Sequence, residues 1–412
     1  MKQKNIIIIG AGIVGVMTAR FLQKEGHNIT IIDKDIPGNG CSFGNAGYIA
    51  TDEVWPLARP DTLLGVPKML LNPMAPLTIR YKDFFHLVPW FLKFTWACRP
   101  SQVKIGTKAL SNLFNYTDKI WREEFTSLGR TDLFADQGVL KVFENDNIFK
   151  KNERERQIQL ECGVNLRVLS GHEAREKVPE LSNNIKKAIF FKKGLKVTHP
   201  FDLTKALVKD FINNGGTLIH DKVTNLETIN DKIIGVVTLK QTYKADEYII
   251  TSGVNSGNLT SPLGIKTPII AERGYHIMLP LNDIKPIISS ADRGFFLTPM
   301  NHGFRLAGTV EFARYGVPET WKRADLLIKH AKVLLPSIDL TETSRWMGNR
   351  PTLPDYLPAI GRAPHHRNLT LAYGHQHLGL TLSAGTGKLI SDIIGGRPMP
   401  FEIEAFDPAR FN

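Results

Sequence analysis

The first 33 residues place apolar runs and glycines in an order that predicts a strand, a tight turn, a helix and a second strand. The β-branched run at 6–9 stops at a glycine-rich turn at 10–15. Apolar residues then recur with helical spacing as far as Gly26, and a second β-branched run at 28–32 ends in Asp33. In the dinucleotide-binding βαβ unit, an acidic residue likewise ends the second strand about 20 residues beyond the glycines.

Each part of this unit has an expected role toward a dinucleotide. Gly10 permits the tight turn, Gly12 lets the backbone approach a pyrophosphate, and Gly15 brings the helix close to the strand. The pyrophosphate is expected at the helix N-terminus, and Asp33 is expected to accept hydrogen bonds from ribose hydroxyls, which disfavours NADP. The alternative is a packing turn with a surface Asp33, and the fingerprint alone does not separate FAD from NAD. The expected contacts are Gly10, Gly12, Ile13, Val14, Gly15, Asp33 and Lys34.

Composition and charge narrow the class of protein. At about 150 residues per domain, 412 residues predict two to three globular domains. The net charge of +12 favours anionic ligands, anionic lipid or nucleic acid. The 3 cysteines predict neither a disulfide framework nor a metal cluster, so we expect no metal and a reducing compartment. We expect neither a signal peptide nor a membrane-spanning segment, because the apolar runs are too short.

Several later segments of the sequence also bear on which cofactor is bound. SFGNAG at 42–47 forms a loop of glycine and small polar residues, TSGVNS lies at 251–256, and GHQHLGLT begins at 374. Together with the strand around Val223, these blocks resemble the flavin-binding parts of D-amino-acid dehydrogenases, in the larger D-amino-acid oxidase and glycine oxidase family. The resemblance implies FAD, held non-covalently because no cysteine follows Cys162. The contacts it implies are Ser42, Asn45, Ala46, Gly47, Val223, Thr251, Gly253, Gly374, His377, Leu378, Gly379, Leu380 and Thr381.

The same resemblance implies a substrate site. WMGNRPTLPDYLPAIG at 346–361 is similar to the family segment whose arginine forks onto a substrate carboxylate, and Arg350 holds that position. A guanidinium suits this role because it is planar, always charged and bidentate toward carboxylates. Tyr275 and His276 align with a strand that borders the substrate cavity, although a satisfied cross-strand pair is an equal alternative. Phe296 stands near the place where relatives often carry a tyrosine, so that hydroxyl is missing here.

The fold implied is α/β, with a discontinuous Rossmann-like FAD-binding domain and a second, substrate domain built on a mixed β-sheet. The flavin-binding blocks fall at the start, near the middle and at the end of the chain, so the FAD-binding domain must be assembled from separate segments. We assign 1–75, 195–265 and 345–412 to the FAD-binding domain, and 76–194 and 266–344 to the substrate domain.

The activity implied is oxidative deamination in amino-acid catabolism. Hydride passes from Cα of a D-amino acid to flavin N5, the imine hydrolyses to a 2-oxo acid, and a respiratory acceptor, a quinone or a carrier, takes the electrons. No general base is nominated, because a neutral amine needs only positioning. The alternatives are a dehydrogenase of D-hydroxyproline, D-proline or another secondary amine, a tRNA-associated flavoprotein, and a non-catalytic flavin-binding subunit. No RNA-binding module is recognisable, so we expect no nucleic-acid partner.

The segment from Lys68 to Pro100 has two interpretations. It interleaves aromatic residues such as Phe85 and Trp96 with cations such as Lys93. This pattern is typical of a surface that lies against a membrane interface. The alternative is a helix packed inside the substrate domain. The sequence therefore predicts a cytoplasmic protein, and under the first interpretation one in peripheral contact with the inner face of the plasma membrane.

Overall fold

The structure, a computed structural model, describes residues 2–412. Its strands are β1 (Asn5–Ile9), β2 (Asn28–Asp33), β3 (Tyr48–Ile49), β4 (Leu77–Ile79), β5 (Phe134–Asp136), β6 (Val139–Phe143), β7 (Leu166–Ser170), β8 (Lys187–Phe191), β9 (Leu195–Val197), β10 (Thr217–His220), β11 (Val223–Ile229), β12 (Lys232–Thr238), β13 (Thr242–Tyr243), β14 (Glu247–Ile250), β15 (Ile270–Leu279), β16 (Ile287–Ser290), β17 (Phe295–Met300), β18 (Gly303–Phe312), β19 (Ser344–Thr352), β20 (Ala359–Ala363) and β21 (His366–Tyr373). Its helices are α1 (Ile13–Lys24), α2 (Pro60–Leu70), α3 (Phe84–Ala97), α4 (Pro100–Leu128), α5 (Asp146–Lys151), α6 (Glu153–Glu161), α7 (Gly171–Lys177), α8 (Pro200–Asn213), α9 (Ser256–Thr260), α10 (Lys322–Leu334) and α11 (Gly379–Gly395).

A six-stranded sheet contains the predicted strand, turn, helix and strand of the first 33 residues. Its order is β10-β2-β1-β14-β21-β20, and only the last pair is antiparallel. Alternate side chains of β1 enter different cores: Ile6 and Ile8 pack toward α1 and α11, whereas Ile7 and Ile9 pack toward the small antiparallel sheet β11-β12-β13. A strand that is covered on both faces has apolar residues at consecutive positions, and β1 is such a strand.

A mixed sheet forms the second layer of the molecule. Its order is β19-β15-β18-β17-β16-β6-β8-β7, and β4 pairs with β18. One face packs on α10 through an apolar core that includes Ile277, Leu306 and Leu327. The other face lies under the loop at 42–47, because Arg305 of β18 donates to carbonyl oxygens of that loop. The predicted α/β class with a mixed second sheet is therefore confirmed.

Two elements differ from the predicted division into domains. Helix α4 lies in the segment assigned to the substrate domain, yet it packs against α11, where Trp121 Nε1 donates to the Thr381 carbonyl at 2.9 Å. The apolar face of α4 explains this, since Leu113 and Phe114 belong to the same core as α1 and α11. Strand β19, assigned to the FAD-binding domain, pairs with β15 in the mixed sheet. The other boundaries stay predictions.

Helix α3, in the segment from Lys68 to Pro100, has one buried face and one exposed face. Leu87, Trp90 and Phe94 are buried against Phe312 of the mixed sheet. The side chain of Phe85 is exposed, as are others on α2 and α3. Among residues 2–412, no helix is both long enough and apolar enough to pass through a bilayer.

Candidate functional site

The glycine turn after β1 is shaped by close backbone contacts. Gly10 has a φ of +113°, and a Cβ there would lie 2.8 Å from the carbonyl oxygen of Thr251. A Cβ on Gly15 would lie 2.0 Å from the carbonyl oxygen of Gly10. The hydroxyl of Thr251 donates to the same Gly10 carbonyl at 2.9 Å. Glycine is therefore needed at both positions for α1 to begin directly behind the strand.

A cavity of about 860 Å³ opens where β1, β2, β14 and β21 end. In open α/β sheets, ligands bind outside the carboxyl ends of the strands, so this is the expected place for a dinucleotide. Fourteen of the residues predicted to bind the cofactor line this cavity: Gly10, Gly12, Ile13, Val14, Asp33, Lys34, Ser42, Asn45, Val223, Thr251, Gly253, Gly374, Gly379 and Leu380.

Asp33 and Ser42 fix the shape of the cavity wall around the start of α1. The Asp33 carboxylate accepts hydrogen bonds from the backbone N–H groups of Ala11, at 2.6 Å, and Asp35, at 2.9 Å. Ser42 Oγ accepts from the N–H of Ile13 at 3.0 Å. Each carboxylate oxygen has a second lone pair, so Asp33 retains acceptor capacity for a ribose hydroxyl. The glycine turn, the helix start and the acid together fit an adenine dinucleotide.

The loop at 42–47 is held by a residue that sequence reasoning missed. Arg305 Nη1 donates to the carbonyl oxygens of Phe43, at 3.2 Å, and Asn45, at 2.6 Å. Arg305 is buried, and burial lowers the pKa of its guanidinium to about 10. Across residues 2–412 no carboxylate forms a salt bridge with it. A buried cation thus lies directly under this loop, and only its distance in sequence from 42–47 hid it.

Six predicted cofactor residues do not line the cavity. They are Gly15, Ala46, Gly47, His377, Leu378 and Thr381. Thr381 Oγ1 accepts from the N–H of Ala50 at 3.0 Å, and Asn45 Nδ2 donates to the carbonyl of His377 at 3.2 Å. The Asn45 bond joins the loop to the turn before α11, and the Ala50 bond joins the end of β3 to α11 itself. The first residues of α11, Gly379 and Leu380, do line the cavity. A helix N-terminus there favours an anionic group.

Arg350 lies on β19 with one edge of its guanidinium anchored. Nη1 donates to Glu272 Oε1 at 3.1 Å and to the Thr309 carbonyl at 3.2 Å. Nε and Nη2 have no hydrogen-bond acceptor among residues 2–412. The guanidinium lies against Gly274, where a Cβ would be 2.2 Å from Nη2. Arg350 thus keeps a forked pair of donors free for a carboxylate.

Glu272 is a second residue that sequence reasoning missed. Its side chain is buried and also accepts from Thr352 Oγ1, at 3.1 Å, and from the Tyr356 hydroxyl, at 3.0 Å. Burial, together with the negative charge of Glu272, holds the pKa of Tyr356 well above its usual range. Tyr356 therefore stays a neutral donor to the carboxylate, and the carboxylate in turn fixes Arg350.

The interpretation of Tyr275 as a cavity residue is corrected by the structure. Its hydroxyl donates to Glu311 Oε2 at 2.6 Å and accepts from the N–H of Thr320 at 3.0 Å. Side chains alternate between the two faces of a strand, so Tyr275 points away from Arg350 and into the core beneath α10. Tyr275 is therefore a buried residue whose hydroxyl is satisfied by Glu311 on the neighbouring strand β18.

His276 and Phe296 lie on the same face of the mixed sheet as Arg350. His276 stacks on Trp346 with ring centroids 5.1 Å apart, and its Nδ1 lies 3.2 Å from the Gly44 carbonyl. Burial lowers the pKa of His276 to about 3, so the ring is neutral and supports the loop. Phe296 is half-buried, 6.2 Å from the Tyr48 ring. Direct substrate contact by either residue stays a prediction.

The two histidines before α11 have different environments. His375 is buried with Nε2 3.0 Å from Thr386 Oγ1, and burial lowers its pKa to about 3. His377 is half-buried, with Nε2 2.6 Å from Glu53 Oε2. Burial lowers the pKa of His377, but the charge and hydrogen bond of Glu53 outweigh this and raise it above the usual value. The charged form of His377 is therefore more stable than in an ordinary histidine, whereas His375 is neutral.

Comparison with known proteins identifies relatives that match almost the whole chain. The model of the DAO family, described as FAD dependent oxidoreductase, matches residues 5–393. A D-amino-acid oxidase of Bradyrhizobium diazoefficiens is 31% identical over 419 residues, which cover 99% of both chains. A D-amino acid dehydrogenase of Paramagnetospirillum magneticum is 29% identical over 423 residues, again covering 99% of both.

Solved structures share the fold. An L-proline dehydrogenase from P. horikoshii superimposes with a TM-score of 0.80 at 21% identity, covering 100% of this chain and 98% of the other. A glycine oxidase from Bacillus cereus gives a TM-score of 0.75 at 20% identity, covering 96% of both chains. The family match, the relative above 30% identity and the dinucleotide cavity lead to one conclusion: this chain belongs to the DAO family of FAD dependent oxidoreductases.

Proposed function

We propose that this protein oxidises D-amino acids to imines, which hydrolyse to 2-oxo acids. The observation that carries the proposal is the guanidinium of Arg350, which Glu272 anchors along one edge while Nε and Nη2 stay free. A planar pair of donors is the geometry that a carboxylate requires. Two relatives that match almost the whole chain are named D-amino-acid oxidase and D-amino acid dehydrogenase, which supports the same substrate class.

The residues divide into those that would hold FAD and those that would hold substrate. The glycine turn, Asp33 and the start of α1 would hold the adenosine and pyrophosphate, and the loop at 42–47 with the start of α11 would hold the flavin. FAD, when bound non-covalently there, supplies the acceptor for the hydride. Arg350 would bind the carboxylate and so restrict where Cα lies relative to the flavin. A substrate that enters as a neutral amine needs no protein base, so positioning supplies the catalysis.

A second candidate substrate class is a secondary amine such as D-proline or hydroxyproline. The observation that favours it is Phe296, which offers a half-buried ring beside Tyr48 on the face that carries Arg350. An apolar wall accommodates a ring substrate as readily as an open side chain. Both candidates use Arg350 in the same way, so they differ only in what fills the space around Phe296.

Anaerobic mixing with single amino acids tests both candidates. We expect the flavin absorbance to bleach with D-amino acids and to persist with their L-enantiomers. With the carboxylate on Arg350 and the side chain in the same space, an L-enantiomer would direct its Cα–H away from the flavin. D-alanine, D-proline and cis-4-hydroxy-D-proline separate the primary from the secondary amines. Reoxidation of the bleached enzyme by oxygen and by a soluble quinone then tests the respiratory acceptor. If no amine bleaches a protein that holds FAD, the substrate proposal fails and a flavin-binding subunit is favoured.

We further propose that the protein works in peripheral contact with the cytoplasmic face of a membrane. Phe85 of α3 is 87% exposed, and Leu71, which directly follows α2, is 86% exposed. Helix α3 buries Trp90 and Phe94 on its other face. Cations such as Lys82 and Lys93 lie among these apolar side chains in the sequence. Apolar groups surrounded by cations suit an anionic lipid surface. This arrangement would bring the enzyme close to a membrane-bound acceptor.

Flotation with lipid vesicles tests the membrane proposal. We expect the protein to float with vesicles that contain phosphatidylglycerol and to stay behind with neutral vesicles. Phe85→Glu should weaken this binding at least tenfold, because burying a phenylalanine contributes about 1.5–3 kcal/mol. The matched control is Leu239→Glu, which changes a residue 70% exposed outside this patch. Equal flotation of the two variants, or none of the wild type, would count against the proposal.

A further inference from the structure

Three side chains from separate elements converge at one end of the mixed sheet. His199 directly precedes α8, Asp202 lies in the first turn of α8, and His302 lies in the turn between β17 and β18. The Oδ2 atom of Asp202 is 3.0 Å from His199 Nδ1 and 3.2 Å from His302 Nε2. All three atoms lie within 4.8 Å of one another. They therefore surround a single point.

The spacing of these atoms matches a tetrahedral metal centre. With bonds of about 2.1 Å to nitrogen and oxygen, two ligands of Zn²⁺ lie about 3.4 Å apart. The two distances to Asp202 fall slightly below this value, so small movements of the side chains are enough to admit an ion. Lys205 contacts the other carboxylate oxygen, Oδ1, at 2.9 Å and leaves Oδ2 to the histidines.

The hydrogen bonds of His199 are in conflict without a cation. Its Nδ1 atom accepts from the backbone N–H of Asp202 at 3.3 Å, which caps α8. The same Nδ1 faces the Asp202 carboxylate at 3.0 Å, where only a donor would be favourable. One nitrogen of a neutral imidazole cannot donate and accept at the same time. A cation between Nδ1 and Oδ2 removes the repulsion between these two acceptors.

We propose that His199, Asp202 and His302 form a binding site for a divalent transition-metal ion such as Zn²⁺. Two imidazoles and one carboxylate leave a fourth position open to water, and imidazole suits Zn²⁺ among the available ions. The side chain of His302 is 65% exposed, which gives the ion a route from solvent. The site lies outside the dinucleotide cavity, so it is independent of the proposed reaction.

The position of the site suggests what the ion would do. The ring of His199 meets the edge of Phe43, with centroids 6.4 Å apart, and Phe43 belongs to the loop at 42–47. The adjacent N–H of Asn301 already donates to the Thr198 carbonyl at 3.1 Å. An ion would add a second link between this hairpin and α8. It would therefore restrain the parts of both layers that support the loop.

Metal binding by the flavin-loaded protein without an affinity tag tests the site. We expect one equivalent of Zn²⁺ in equilibrium dialysis, and one equivalent of Co²⁺ with the visible absorption of a tetrahedral site. Bound Zn²⁺ should also raise the melting temperature, because it binds only the folded state. His302→Gln and Asp202→Asn should each lose the equivalent, and should lose the stabilisation with it.

His172→Gln is the matched control. His172 is also exposed and lies 3.3 Å from a carboxylate oxygen of Glu176, but it has no third partner among the metal-binding candidates of residues 2–412. This variant should keep the full equivalent of Zn²⁺. The proposal is overturned if the wild type takes up no stoichiometric metal, or if His302→Gln binds as much as the wild type. Flavin bleaching by amino acids is read separately, so failure here leaves the proposed reaction untouched.

Discussion

Replacing Arg350 with methionine is expected to lower kcat/KM for D-amino acids by about 10²- to 10⁴-fold. A hydrogen bond to a charged group contributes about 1.5–3 kcal/mol, and a fork from Nε and Nη2 would make two of them. At about 1.4 kcal/mol per factor of ten, the pair accounts for that range. Steady-state kinetics with a soluble electron acceptor measure the change. Most of the loss is expected in KM if the fork forms already in the bound substrate.

The buried carboxylate of Glu272 affects the stability of the Arg350→Met variant, and a double variant separates this effect from the loss of activity. Methionine at position 350 leaves Glu272 without its cationic partner, and an uncompensated buried charge is strongly destabilising. The double variant Glu272→Gln/Arg350→Met removes that charge and should recover stability without recovering activity. Arg350→Lys keeps a charge but loses the planar fork, so it should recover only part of the activity.

Arg367→Met is the matched control for Arg350. Arg367 also pairs with a carboxylate, with Nε 3.3 Å from Asp231 Oδ2, but 62% of its side chain is exposed. Kinetics of this variant should equal those of the wild type. Unchanged kinetics in a folded Arg350→Met would contradict the assignment of Arg350 to the substrate carboxylate.

The nucleotide end of the molecule was predictable because its signals are local. The apolar run, the glycines and Asp33 lie within 33 consecutive residues, and the backbone conformation at Gly10 leaves few other residues suitable there. The glycines required by the turn are therefore visible directly in the sequence. The fold class could be inferred from this unit together with the blocks that resemble the family.

The substrate face was harder to predict because its contacts join distant residues. Arg350 and Glu272 are 78 residues apart, and Arg305 is 260 residues from the Asn45 carbonyl that it binds. Nine of the ten residues of β15 are buried, so alternation of apolar and polar residues does not show which face meets the cavity. Tyr275 and His276 therefore looked equivalent in sequence, although they point to opposite sides.

The assignment of α4 failed for a related reason. Its amphipathic pattern predicts a helix with one buried face, but the pattern does not indicate which layer covers that face. Trp121 and Thr117 make their hydrogen bonds to α11, at the far end of the chain. Only the three-dimensional structure shows that α4 packs with α11, on the side of the six-stranded sheet.

Gly15→Ala is expected to lower the flavin content of the purified protein and to weaken FAD affinity about 5- to 150-fold. The added Cβ would lie 2.0 Å from the Gly10 carbonyl and 2.6 Å from Thr251 Oγ1, and neither belongs to a long flexible side chain. Either α1 or the turn must move, and overpacking of this kind costs about 1–3 kcal/mol. That movement takes the N–H groups of α1 away from the place where a pyrophosphate would bind.

The ratio of flavin to protein absorbance and a titration of apoprotein with FAD measure this effect. Gly257→Ala is the control, because Gly257 lies in helix α9 and its Cβ would meet nothing closer than 3.8 Å. Far-ultraviolet circular dichroism separates loss of FAD from loss of fold. The overpacking is confined to the junction of β1 and α1, so the six-stranded sheet should persist while FAD binding weakens. A folded Gly15→Ala that retains full flavin would show that the close approach of α1 to β1 is not what holds the dinucleotide.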